Sequence, residues 1–232
     1  MSRQLAVVDL GRQPYAPVLE MQRNLAGRRL AGDLKDDLLL LVEHEPVITL
    51  GRGTRPESLP LAVRELQRRG LEVHEVERGG DVTFHGPGQL VGYPIFDLRQ
   101  HREDLHWYLR TLETALIGAL DALGIPAGVN PGLTGVWTRG RKIASIGIHV
   151  KQWVTYHGFA LNVTTDLSYF DLIVPCGIRD VVMSSVAMEL ARTDDARTWA
   201  ETRQAVIEGV SEAFGLPLLA PVAFGEAIGF SP

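Results

Sequence analysis

The amino-acid sequence predicts a single domain of the α/β or α+β class built on a mixed β-sheet with surrounding helices, and three observations carry that expectation. Segments of strand-like period two and helical period 3.6 interleave along the chain without the strict rhythm of a βαβ series. No internal repeat, low-complexity block or Ser/Gly-rich linker divides the 232 residues, so one domain spanning 1–232 is expected. Hydrophobic residues make up 45% and charged residues 22%, the balance of a chain that buries a core and not of a disordered one.

The densest apolar run, Leu38 to Val42, suits a strand buried on both faces. Glu43 to Pro46 reads as a turn into a second strand, Val47 to Leu50, which ends at Gly51. Leu59, Val63 and Leu66 recur at helical spacing, with Pro60 suited to a first turn and Gly70 to a C-terminal stop, so a helix is expected from Leu59 to Arg69. Leu71 to Val76 follows as a strand. The clearest helix carries Leu105, Leu109, Leu112, Leu116, Leu120 and Leu123, all three or four apart, and stops at Gly124 and Pro126.

Gly135 to Trp137 reads as a strand joined by the turn Thr138 to Arg141 to a longer one. There Ala144, Ile146, Ile148 and Val150 alternate with Ser145, Gly147 and His149, the pattern of one buried face. Phe159, Leu161 and Val163 repeat the alternation. A last helix spans Trp199 to Phe214, stopped by Gly215 and Pro217, and the tail from Leu218 to Pro232 is expected to be loop-rich.

Composition narrows the function. Lys and Arg total 23 against 28 Asp and Glu, a net charge of −5, which argues against a protein that coats nucleic acid through summed positive charge. Cys176 is the single cysteine, so the chain forms no internal disulfide and no cysteine-rich zinc site. The first residues lack a basic stretch followed by an apolar run of signal length, and nothing later approaches a membrane span. A soluble cytoplasmic protein that does not enter a membrane is therefore expected.

Two segments stand out chemically. Arg78 to Tyr93, RGGDVTFHGPGQLVGY, holds five glycines in sixteen residues together with Arg78, Thr83, His85 and Gln89. Glycines there allow positive φ and close approach of backbone to a ligand, whereas a tight hairpin is the plainer reading. The segment follows neither the order of a P-loop nor that of a dinucleotide-binding turn. Cys176 lies in Val-Pro-Cys-Gly-Ile, stiffened before and freed after. An unperturbed thiol is only about a few per cent ionised at neutral pH, so a nucleophilic Cys176 needs help from Lys142 or His85. Lys142 stands where a polar turn becomes an alternating strand; the plain reading is a solvated basic turn. His74, His101, His106 and His149 read as surface or core-edge residues, and no metal-ligand spacing connects them.

Together these segments resemble the lipoyl(octanoyl) transferase family of lipoate biosynthesis. The residues that carry the resemblance are Arg78-Gly79-Gly80, Thr83-Phe84-His85, Pro87-Gly88-Gln89, Val91 and Tyr93. Gly135-Val136-Trp137 through Lys142-Ile143-Ala144-Ser145-Ile146-Gly147, then His157 to Val163, then Pro175-Cys176-Gly177-Ile178 complete it. It spans roughly Leu38 to Val186 and leaves the tail beyond Ala220 uncovered.

The resemblance implies a fold similar to the catalytic domains of biotin and lipoate protein ligases, with helices around an acyl-binding tunnel. It implies transfer of octanoyl from acyl carrier protein to a lysine of lipoyl domains, in 2-oxoacid dehydrogenase complexes and the glycine cleavage H protein. Carried over by position, Cys176 is the acyl-thioester nucleophile and Lys142 lowers its pKa and shuttles the proton. Arg78, Gly79, Gly80, Asp81, Val82, Thr83, Phe84, His85, Ser145, Ile146, Gly147, Gly158, Phe159 and Ala160 line the substrate site. No cofactor, ATP or metal is implied.

Both implied protein partners are usually acidic, so a local basic face is expected from Arg52, Arg55, Arg78, Arg139, Arg141 and Lys151. The competing readings are an ATP-dependent lipoate or biotin ligase on the same fold, a thiol hydrolase using Cys176 with His85, and a silent acyl-carrier-binding module.

Overall fold

A seven-stranded and a three-stranded sheet organise the computed structural model, which describes residues 3–174 and 181–220. In chain order the elements are β1 (Leu5–Gln13), α1 (Tyr15–Ala31), β2 (Asp37–His44), β3 (Val47–Leu50), α2 (Val63–Arg68), β4 (Glu72–Glu75), β5 (Val82–His85) and β6 (Gln89–Ile95). There follow α3 (Leu105–Ala122), β7 (Gly128–Asn130), β8 (Leu133–Thr138), β9 (Arg141–Lys151), β10 (Val154–Asn162), α4 (Val186–Leu190) and α5 (Asp195–Phe214). The large sheet runs β1-β2-β6-β10-β9-β8-β7 and the small one β4-β3-β5. β1 is parallel to β2 and β3 to β4; the remaining pairs are antiparallel, giving the mixed sheet expected.

β2 explains why the large sheet is covered on both sides. Leu38, Leu40 and Val42 pack with Val18, Leu25 and Ala26 of α1, while Leu39 and Leu41 pack with Leu112 and Leu116 of α3 and Val206 and Val210 of α5. All five β2 side chains are at most 1% exposed, each contributing about 1.5–3 kcal/mol relative to an exposed position.

α3 begins where the Asp104 carboxylate accepts the Trp107 N–H at 3.0 Å and ends at Gly124 with φ 79°. Its buried stripe is Tyr108, Leu112, Ala115, Leu116, Ala119 and Leu120, so Leu105, expected on the apolar face, stands exposed instead. α5 starts one turn before Trp199, capped by the Asp194 carboxylate, and closes at left-handed Gly215 as expected.

Several expectations are corrected. The helix expected over Leu59 to Arg69 is only Val63–Arg68: a 3-10 turn occupies Pro56–Ser58, and Pro60 precedes the helix. The turn expected over Glu43 to Pro46 is shorter: β2 runs on to His44, and Glu45 and Pro46 alone carry the chain from one sheet to the other. β9 is buried only over Lys142–Ala144, and from Ser145 to Val150 both faces are half-buried instead of alternating.

β1 and α1 were not anticipated. The buried stripe of α1 is Tyr15, Val18, Leu19, Gln22, Leu25, Ala26 and Arg29, regular helical spacing in which two of seven residues are strongly polar. Arg29 is 2% exposed because its Nη2 donates to the Asp37 carboxylate at 3.0 Å, which His101 meets at 2.6 Å. A polar network thus fills a stripe that hydrophobicity alone would leave blank.

Candidate active site

Arg78 is a strut rather than a surface cation. Its side chain is buried, and Nη2 donates to the Thr49 carbonyl at 2.7 Å and the Thr49 hydroxyl at 2.8 Å, while Nη1 donates to the Asp81 carbonyl at 2.7 Å. The planar fork therefore ties β3 to the turn that carries Gly79 and Gly80. The same turn is held by Arg52 N–H to Arg78 O at 3.0 Å, Gly53 N–H to Gly80 O at 2.9 Å and Gly79 N–H to Ile148 O at 2.8 Å. Gly80 has φ 83°, and a Cβ on Gly51 would lie 2.4 Å from the Gly80 carbonyl, so two glycines are required by backbone geometry and close approach. Asp81 closes the turn by accepting the Val82 N–H at 2.7 Å and the Ser58 hydroxyl at 2.6 Å.

Between this turn, the small sheet and the β6-β10-β9 part of the large sheet lies a cavity of about 480 Å³, counting the part open to solvent. The structure brings Arg78, Gly80, Asp81, Val82, Thr83, His85, Ser145, Ile146, Gly147, Gly158, Phe159 and Ala160 to its wall, joined by Tyr15, Val91, Tyr93 and His157. Two residues expected there lie elsewhere. Phe84 points away from the wall to stack on Tyr169 at 4.5 Å and meet Phe170 edge-on, because adjacent β-strand residues face opposite sides. Gly79 contributes its backbone bond to Ile148 and no wall atom.

The two histidines of the wall, His85 and His157, and His44 beside His85 are uncharged. Burial pushes His44 down to about 4 and His157 down to about 3, and burial together with the neighbouring His44 brings His85 to about 3, so the three rings are neutral at pH 7. Their tautomers follow from their partners. His44 Nδ1–H donates to Gln13 O at 3.0 Å, leaving Nε2 to accept from the Tyr93 hydroxyl at 2.8 Å. His85 Nδ1–H donates to Gln89 Oε1 at 2.7 Å, since the Gln89 amide nitrogen is committed to Phe84 O at 3.2 Å and Asn162 Oδ1 at 2.9 Å. Tyr15 stacks on His85 at 6.1 Å, and burial raises its hydroxyl to about 12.

Lys142 is 2% exposed, so the plain reading of a solvated turn residue is overturned. β8 pairs Val136 with Ala144 but Trp137 with Lys142, which leaves Ile143 as one extra residue on β9. That bulge re-aims the side chains beside it. Lys142 N–H donates to Val182 O and Lys142 O accepts from Ser184 N–H, both at 2.8 Å, so the lysine backbone is fixed on its other edge as well. Its ammonium lies 5.7 Å from the Trp137 ring centroid. Gly135, with φ 127°, leaves the space the lysine stem uses, for a Cβ there would fall 2.9 Å from Lys142 Cε.

Cys176 lies outside the described residues. Of the residues expected on a basic face, Arg52, Arg55, Arg139 and Lys151 are exposed and Arg141 half-buried, with Arg139 and Arg141 both paired to Glu189. Tyr15, Gln22, His44, Glu189 and Glu113, whose carboxylate accepts the Gly135 N–H at 3.1 Å, carry polar roles that the sequence did not signal, each being an isolated residue without a motif. Among the described residues no group of three or more His, Cys, Asp or Glu side chains is arranged to hold a metal ion, and no helix is long and apolar enough to cross a membrane.

The model of the lipoyl protein ligase A/B catalytic domain matches residues 14–211. An octanoyltransferase of Solibacter usitatus is 54% identical over 186 residues, covering 80% of this chain and 84% of that protein. An octanoyltransferase of a Nostoc species is 46% identical over 209 residues, covering 90% of this chain and 91% of that protein. Among solved structures, the bipartite lipoate protein ligase of Thermoplasma acidophilum superposes with a TM-score of 0.71 at 17% identity, covering 99% of this chain and 90% of that one. The biotin protein ligase of Aquifex aeolicus superposes with a TM-score of 0.51 at 11% identity, covering 91% and 73%. These two likenesses concern the fold.

Proposed function

The chain belongs to the lipoyl protein ligase A/B catalytic-domain family and is an acyltransferase that moves octanoyl groups in protein lipoylation; we propose that it does so through an acyl-thioester on Cys176, assisted by Lys142. The observation that carries the assignment of Lys142 is its burial on β9, the strand that also supplies Ser145, Ile146 and Gly147 to the cavity wall.

The Cys176 thiolate attacks the octanoyl thioester on the phosphopantetheine arm of acyl carrier protein. One thioester replaces another and the carrier leaves as a thiol, so the step needs little driving force. The acceptor is a lysine of a lipoyl domain, of a 2-oxoacid dehydrogenase complex or the glycine cleavage H protein. Its amine, with an ordinary pKa near 10.4, must lose a proton before it attacks. Lys142 takes the thiol proton and hands it to the departing carrier sulfur in the first half-reaction; neutral again, it takes the amine proton in the second and returns it to the Cys176 sulfur as the amide forms. Because the incoming acyl group is already activated as a thioester, we assign neither ATP nor a metal to the reaction. The cytoplasm supplies the reducing conditions that a free thiol requires.

Gly80, Thr83, Ser145, Gly147, Gly158 and Ala160 present backbone and small side chains to the chain of the substrate, while Val82, Val91, Ile146 and Phe159 supply apolar surface. Each methylene buried there contributes about 0.8 kcal/mol. His85 is neutral at pH 7 and its Nδ1–H is committed to Gln89, which supports the lysine rather than an imidazolium as the partner of the thiolate.

The test is mass spectrometry of the intact protein mixed with octanoyl carrier protein in the absence of ATP, comparing wild type with Cys176→Ser and Lys142→Ala. One octanoyl group on Cys176, discharged by a lipoyl domain, is the expected result. Labelling restored only by ATP and free octanoate would move the chain to the ligase chemistry, and release of free octanoate without an acceptor to the hydrolase.

A further inference from the structure

Glu189 is a carboxylate buried outside the cavity wall. Its side chain is 1% exposed and lies on α4, a helix of five residues whose N-terminus is capped by Ser185. Three groups donate to it: Arg141 Nη2 at 2.7 Å, Arg139 Nη1 at 3.2 Å and the Ser184 hydroxyl. Burying a carboxylate is costly unless it is paired and hydrogen-bonded on several sides, and this one is.

All three donors belong to the frame of Lys142. Arg141 precedes the lysine on β9, Arg139 lies in the turn that opens β9, and Ser184 donates its own N–H to the Lys142 carbonyl at 2.8 Å. Met183 pairs with Lys142 as a parallel bridge. The lysine backbone is therefore a rung between two rails, β9 and the segment Val182–Ser184, and a single carboxylate ties the rails together. The turn points the same way. Arg139 has φ 47°, a conformation that Asn or Asp tolerates better at this place in a two-residue hairpin, and its side chain reaches Glu189 from there.

The tie extends to the cavity. Ser184 O accepts the Asn162 side-chain amide at 3.0 Å, Asn162 Oδ1 accepts Gln89 Nε2 at 2.9 Å, and Gln89 Oε1 accepts the His85 ring N–H at 2.7 Å. Hydrogen bonds thus lead from Glu189 through Ser184, Asn162 and Gln89 to His85 at the cavity wall.

We propose that Glu189 is a positioning residue of the transfer reaction, holding Lys142 in register against Val182–Ser184 by clamping Arg139, Arg141 and Ser184 at once. The proposal rests on the assignment of Lys142 to proton transfer. It also gives Arg139 and Arg141 an architectural task, so charge reversal at that pair disturbs the lysine frame and does not report on carrier docking alone.

The experiment compares Glu189→Gln, Glu189→Ala and Lys142→Ala in the full chain, with steady-state octanoyl transfer, thermal unfolding and the pH profile of Cys176 alkylation by iodoacetamide. Misplacing a catalytic group by about 1 Å costs up to about 100-fold. Glu189→Ala is expected to lower kcat by about 10- to 100-fold with KM for both protein substrates within about twofold, and Glu189→Gln, which keeps one acceptor oxygen, by less. The alkylation profile is expected to move to higher pH in both variants, a change that a role in folding alone does not produce. Wild-type kcat and alkylation profile in folded Glu189→Ala would overturn the proposal; if that variant does not fold, Glu189→Gln decides in the same way. An inactive Lys142→Ala beside a fully active Glu189→Ala removes the positioning role alone, whereas an active Lys142→Ala removes the lysine assignment and the proposal with it.

Discussion

The backbone N–H of His157 donates to Oε1 of Gln22 at 2.9 Å, joining α1 to β10 across 135 positions of sequence. His157 has φ 57°, unusual for a residue with a Cβ, and both partners are almost fully buried. Replacing Gln22 with leucine leaves that N–H unpaired in the interior and is expected to cost about 1–3 kcal/mol. Chemical denaturation measures it. Because His157 also lines the cavity, KM for the octanoyl donor should rise in the same variant; an unchanged denaturation midpoint would show that the bond carries little of the α1 packing.

Acid should destabilise the protein at a pH where most carboxylates are still ionised. His44, His85 and His157 titrate at about 4, 3 and 3 when folded and near 6.5 when unfolded, so the unfolded chain binds more protons throughout the interval between. Stability is full above about 6.5 and is lost as pH falls toward 4, by on the order of 1.4 kcal/mol per pH unit for each ring. Denaturant titrations at pH 7 and pH 5 should show the loss, reduced in His157→Asn. Equal stability at the two values would contradict three neutral buried rings.

Arg78→Lys is predicted to act through geometry, since it conserves charge. An ammonium cannot reproduce the fork that meets Thr49 O, Thr49 Oγ1 and Asp81 O together. The turn holding Gly79 and Gly80 loses its strut, and kcat/KM for octanoyl transfer should fall by at least about 10-fold, of the order seen when supporting geometry slips by an ångström. Activity within twofold of wild type would assign the turn to its backbone bonds with Arg52, Gly53 and Ile148.

Gly135→Ala tests the space beside Lys142. The added Cβ would lie 2.6 Å from the Ala144 carbonyl and 2.9 Å from Lys142 Cε, at a φ of 127° that alanine resists. Transfer activity should drop more steeply than the unfolding temperature, because the clash displaces the lysine stem as well as the neighbouring strand. A variant with full turnover would show that the bulge alone sets the lysine.

Carrier docking is expected to depend on Arg52, Arg55 and Lys151, which are exposed, and not on Arg78, which is buried. Glutamate at Arg52 and Arg55 should raise KM for the octanoyl carrier and weaken its salt dependence with kcat preserved. Unaltered KM at low ionic strength would place the docking face elsewhere.

The sequence by itself determined those elements whose buried face is mainly apolar and whose ends carry terminating residues. The five-residue core of β2, the α3 helix closed by Gly124, and the α5 helix closed by Gly215 are of this kind. There the driving force is burial of contiguous apolar surface, a local property of residue order. Family membership was legible for the same reason, since motifs are local. Only the tertiary structure decided that α1 buries Gln22 and Arg29, that Phe84 turns away from the cavity that Thr83 and His85 face, that Arg78 is a strut, and that a bulge at Ile143 sets Lys142 beside Gly135 while Glu189 clamps its neighbours. Gln22, Arg29, Arg78 and Glu189 are buried with hydrogen-bond partners that lie on other elements, and periodicity along one segment contains no record of who those partners are.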